Sequence, residues 1–102
     1  MEYLNKIEVQ GVVGNSSYGT IENTKYTQFS LCVQYIYQKG KDLVCDITWI
    51  QVKYFGDIKI NKGDWVYAAG RLRISRYSSP EGQTHIIPEV MASVIKVVKK
   101  AG

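Results

Sequence analysis

Apolar side chains in this chain recur at every second position. That period of two constrains the fold more than any other feature. Successive strand side chains point to opposite faces, so "FSLCV" sets Phe29, Leu31 and Val33 together on one face. In a first strand Ile7, Val9 and Gly11 alternate with Lys6, Glu8 and Gln10, and the strand is predicted to run on through Val12 and Val13. "GNSSYGTIENTK" has the turn residues of an exposed loop. A second strand, "TQFSLCVQYIY", meets the tip "QKGKD", and "LVCDITWIQVKYF" follows at once. Strands two and three therefore form a long antiparallel hairpin.

"GDIKINKGD" leaves room for a helical turn at most. The fourth strand, "WVYAAGRLRIS", sets Val66, Ala68, Gly70, Leu72 and Ile74 against Tyr67, Ala69, Arg71, Arg73 and Ser75, with Leu72 expected in the core. Pro80 and Gly82 suit a turn in "YSSPEGQ". Pro88 interrupts the last strand segment, "THIIPEVMASVIKVVKK", and marks an edge, a bulge or a strand start. Glycine inside a strand is costly unless the sheet bends there, so Gly11 and Gly70 point to barrel corners. The expected fold is all-β, a five-stranded barrel of the oligonucleotide/oligosaccharide-binding type (OB-fold). A sandwich is the alternative. At 102 residues the chain is expected to be a single domain, 1–102.

Several classes drop out. No apolar run approaches the ~18–20 residues of a membrane-spanning helix, and "MEYLNKIEV" lacks the pattern of a signal peptide. A cytoplasmic protein is expected. Cys32 and Cys45 lack metal-site spacing and are read as reduced thiols. The one histidine, His85, follows a turn and reads as a surface residue. Without a recognisable nucleophile, metal or phosphate-loop motif, neither catalysis nor a cofactor is expected.

A binding surface reads more clearly. In "TWIQVKYFG", Trp49, Gln51, Lys53 and Phe55 share the face opposite Ile50, Val52 and Tyr54. Two large rings thus sit among an amide and an ammonium. On the fourth strand Arg71 and Arg73 share a face and lead toward Tyr77, and Tyr35 and Tyr37 precede the basic tip Lys39 and Lys41. Each piece alone has a plainer reading, as core, hairpin bracing or solvated charge. Together, rings that stack on bases and cations that track phosphates are the means by which sequence-tolerant single-strand binders work. The net charge of +4 is compatible with an anionic partner.

With these blocks in place the chain resembles the bacterial single-stranded DNA-binding proteins. The likeness runs from "LNKIEVQGVVG" through "FSLCV", "TWIQVKYFG" and "KGDWVYAAGRLR" to "PEVMASVI". It implies an OB-fold, commonly a homotetramer with a dimer as the alternative, and sequence-independent binding of single-stranded DNA in replication, recombination and repair. By resemblance the stacking positions fall on Tyr37, Trp49, Phe55 and Tyr77, and basic positions on Lys6, Arg73 and Arg76. With Gln51, Lys53 and Arg71 from the alternation, these make up the expected site.

There are departures from the family. Two stacking positions that are often tryptophan are tyrosine here, and Gln51 stands where a basic residue is frequent. The segment after Phe55 is short. The family's acidic tail has no counterpart before Gly102, so either the sequence is truncated or it is a minimal member that does not recruit partners through a tail. Two further readings remain: a tail-less adaptor resembling the primosomal replication protein, and a barrel used only for protein–protein contact.

Overall fold

The computed structural model describes all residues, Met1–Gly102. Five strands follow one another: β1 (Ile7–Ile21), β2 (Thr24–Lys39), β3 (Asp42–Phe55), β4 (Trp65–Ser78) and β5 (Thr84–Lys99). They close into a barrel in the order β1-β2-β3-β5-β4, with β4 returning to β1. All pairs are antiparallel except β3 with β5. Closure excludes the sandwich.

The expected inward residues form the core. Phe29, Leu31, Val52, Val66, Ala68 and Val90 are fully buried and pack with Val13 and Ile60. Gly11 and Gly70 both sit where backbones meet. A Cβ on Gly11 would lie 2.2 Å from the Cys32 carbonyl oxygen, and one on Gly70 would lie 2.0 Å from that of Met91. Neither position has room for any other residue. The β4–β5 register also shifts between Ala69 and Gly70, so the sheet turns at this corner as the sequence suggests.

Two expectations need correction. First, residues 14–21 are not a loop. β1 continues to Ile21 and pairs with β2 from Ser16↔Phe29 to Ile21↔Thr24, after a register shift between Val13 and Ser16. The reversal is confined to Glu22 and Asn23, whose φ values of 49° and 66° are those of a type I′ turn. Second, Leu72 and Ile74 are not core. They are 41% and 48% exposed, because both lie past Gly70, the last β4 residue paired with β1, and from Ile74 outward β4 and β5 continue as a two-stranded arm. The β3–β4 connection has no helix, within the expected limit of one turn, and its Ile60 is a core residue only 1% exposed.

A buried residue in an irregular segment must find partners for its polar backbone groups. The Ile60 carbonyl accepts bonds from the Ser16 (3.0 Å) and Tyr18 (3.1 Å) hydroxyls, while its N–H donates to the Tyr18 oxygen (3.0 Å). Asp64, also buried, accepts from the Ala101 and Asn61 N–H groups at 2.9 and 3.0 Å. Those two bonds hold its carboxyl below the usual carboxylate range.

Pro88 takes the edge alternative. It pairs with Ile74 on one side, whereas pairing of β5 with β3 begins only at Glu89. A missing N–H is tolerated at such a place. Gly40, with a φ of 64°, turns the β2–β3 hairpin. No helix in the structure is long and apolar enough to cross a membrane.

Candidate nucleic-acid interface

Strand register brings most of the expected site onto the outer face of the barrel. β3 places Trp49, Gln51, Lys53 and Phe55 there, opposite Cys32, Ser30, Gln28 and Tyr26 of β2. β5 carries the face on to β4: Gln51 neighbours Glu89, which neighbours Arg73, and Lys53 neighbours Met91, which neighbours Arg71. Two rows thus run across three strands, each ending on an arginine of β4. Tyr77 lies further along β4 on the same face, paired with His85.

The rings are available. Trp49, Phe55 and Tyr77 are 61%, 47% and 51% exposed. Trp49 lies against β1, where a Cβ added to Gly14 would come within 2.6 Å of its ring. Beside it is an open concavity of about 490 Å³, lined by Asn15, Ser17, Gln28, Ser30 and Gln51 among others. Tyr77 is backed by His85, the two ring centroids 4.9 Å apart and the planes 18° from parallel.

The cations are equally free. The structure's one ion pair joins Lys25 to Asp57 at 3.6 Å. Lys53, Arg71, Arg73 and Arg76 therefore have no carboxylate partner. Glu89, in the middle of the face, is buried and accepts a bond from the Ser75 hydroxyl at 3.0 Å. The side chain of Asn5 binds both the N–H and the carbonyl of Leu72, each at 2.8 Å. It ties the chain before β1 to β4, and continuing the β1–β4 register by one residue sets Lys6 across from Arg71.

Two expected residues stand apart. Tyr37 pairs with Val44, and alternation from Trp49 puts both on the opposite face of the β2–β3 arm. Arg76 pairs with Ile86 and lies on the side of Leu72 and Ile74, away from Arg71, Arg73 and Tyr77. Conversely, the sequence reading left out Tyr26, His85 and the polar lining of the concavity. Asn15 and Ser17 were hidden by the reading of their segment as a loop.

The sequence model of the single-strand binding protein family matches residues 4–98. The chain belongs to that family. Its members bind rather than catalyse. A curated relative, the single-stranded DNA-binding protein of Thermotoga maritima, is 26% identical over 109 residues, covering 98% of this chain and 77% of the relative.

Solved structures of the same kind superpose well on this family member. One is the small single-stranded DNA-binding protein of Streptomyces coelicolor, with a TM-score of 0.71, 20% identity and 90% and 92% of the two chains covered. A Plasmodium falciparum SSB, solved in complex with single-stranded DNA, gives 0.80 at 21% identity, with 94% of each chain covered. At such identities the likeness is one of fold, and the fold is the five-stranded OB barrel.

Proposed function

We propose that this protein binds single-stranded DNA without regard to sequence, along the outer face of β3, β5 and β4, as one binding domain spanning the chain. The observation that carries the reading is the sharing of one face by exposed rings and unpaired cations: Trp49, Phe55 and Tyr77 with Lys53, Arg71 and Arg73. Bases stack on the rings and phosphates meet the cations. Gln51 and the other polar groups beside Trp49 give the edge of a stacked base hydrogen-bond partners of either kind, which suits tolerance rather than selection. Lys6 adds a cation at the β4 side. Tyr37 and Arg76, on the far sides of their arms, join only if the strand wraps around those arms. The bound strand stays unpaired and shielded during replication, recombination and repair.

Counterions released from phosphates give the test. Titrating a long poly-dT strand at several salt concentrations should show log K falling with log salt by ~0.7 for each phosphate contacted. A flat response would remove this reading.

Assembly is the second part of the proposal. Leu72, Ile74 and Ile86 stand exposed on the β4–β5 arm, and Ile36, Leu43 and Ile47 on the β2–β3 arm. Uncovered apolar surface of this kind marks contact with other protein. A symmetric homo-oligomer accounts for it, a tetramer rather than a dimer by family resemblance. Light scattering on a gel-filtration peak is expected to give four subunits, and a monomer at micromolar concentration would contradict it.

A further inference from the structure

Tyr26 is the outer-face ring with no role so far. Its register neighbours are Gly19 of β1 on one side and Phe55 of β3 on the other. A Cβ at Gly19 would lie 2.4 to 2.6 Å from Oη, Cζ and Cε2 of Tyr26, so the ring rests on bare backbone. The Lys53 Nζ sits 4.5 Å from the centroid of that ring and 5.5 Å from that of Phe55. Lys53 has no carboxylate partner, the one ion pair being Lys25 with Asp57. An ammonium thus occupies ring surface that a base would need.

We propose that Tyr26 is a further base-stacking position, adjoining Phe55, and that Lys53 is a movable cover over both rings. On arrival of a strand the ammonium leaves the rings for a phosphate and a base takes its place. This rests on the outer face being the single-strand site. A cation over a partly exposed ring is weakly held. A stacked base and a charge-assisted bond to phosphate are each stronger, so the exchange runs toward the bound strand. One lysine then serves two ends: it keeps apolar ring surface covered in the free protein and supplies charge in the complex.

The test compares wild type, Tyr26→Leu, Tyr26→Phe and Lys53→Met by anisotropy of a labelled poly-dT strand over a range of salt. Melting temperatures are measured alongside. Tyr26→Leu keeps an apolar side chain but no ring, and is expected to bind about ten-fold more weakly or worse with an unchanged salt slope. Tyr26→Phe should bind like wild type. Lys53→Met should lower the slope by ~0.7.

If Tyr26→Leu binds like wild type, the proposal is overturned while the outer-face reading stands. If its loss comes with the slope change of Lys53→Met, Tyr26 merely places the charge, and the stacking role is overturned. A wild type that ignores poly-dT overturns both readings. Should Tyr26→Leu fail to fold, cross-linking the wild type to a bromodeoxyuridine strand decides. An adduct on Tyr26 is expected, and adducts on Trp49 or Phe55 without one on Tyr26 overturn the proposal.

Discussion

Replacing Phe29 with alanine should cost about 3–5 kcal/mol of stability, the usual range for a large ring lost from a packed core. The side chain is 1% exposed and belongs to the cluster that fills the barrel. Its strand neighbour Val52 is wholly buried as well, so the surrounding walls are poorly able to collapse into the space. Small domains are stable by ~5–15 kcal/mol, so the variant should remain folded only in mild conditions. The midpoint of denaturant unfolding measures the loss. A shift worth less than about 1 kcal/mol would mean that the barrel interior is not the main source of stability. Leu72→Ala is the contrast, because Leu72 already meets solvent and its truncation leaves no closed cavity.

Trp49→Ala should reverse the pattern. Binding to single-stranded DNA is expected to weaken by ~1–3 kcal/mol, the worth of one stacked base. The melting temperature should stay within about 4 °C of wild type, since no core contact is removed. The chain has two tryptophans, which adds a second readout. Quenching of emission by poly-dT should disappear in the variant while Trp65 still emits. If Trp49→Ala unfolds the protein, or splits the oligomer at unchanged intrinsic affinity, the ring is structural. The outer face would then lose its central residue.

Alternation made most of the core of β2, β3 and β4 legible because the inward residues there are apolar. It failed at residues 14–21 for a physical reason. That part of β1 is mostly exposed, and its Ser16 and Tyr18 use their hydroxyls to bind the backbone of Ile60. No apolar period survives there to be read. Ile60 itself lies in an irregular segment, where periodicity says nothing about burial.

Much of the candidate site could be read because Trp49, Gln51, Lys53 and Phe55 lie on one strand. The opposed orientation of Tyr37 was legible too, since it follows from the hairpin register about Gly40. Resemblance to the family grouped it with Trp49 regardless. The same register pairs Tyr26 with Phe55. A second strand read as beginning at Thr27 leaves that ring out, whereas β2 begins at Thr24. Leu72 was misplaced because alternation gives the face of a residue and not how far the barrel wall extends along the strand.

The β2–β3 hairpin extends beyond the closed part of the sheet. β1 pairs with β2 only as far as Cys32, and β5 pairs with β3 only from Gln51 onward. Between Val33 and Ile50 each strand therefore has one hydrogen-bonded neighbour instead of two. Segments held by fewer contacts open at lower free energy than the body of a domain, so amide hydrogens in this arm exchange before those of Phe29 or Val52. Trp49 stands at the root of the arm, one pairing step from where the third ladder takes hold. The proposed binding face therefore spans two regimes, a stretch from Gln51 to Phe55 paired on both sides and, from Ile50 outward, an arm paired on one side only.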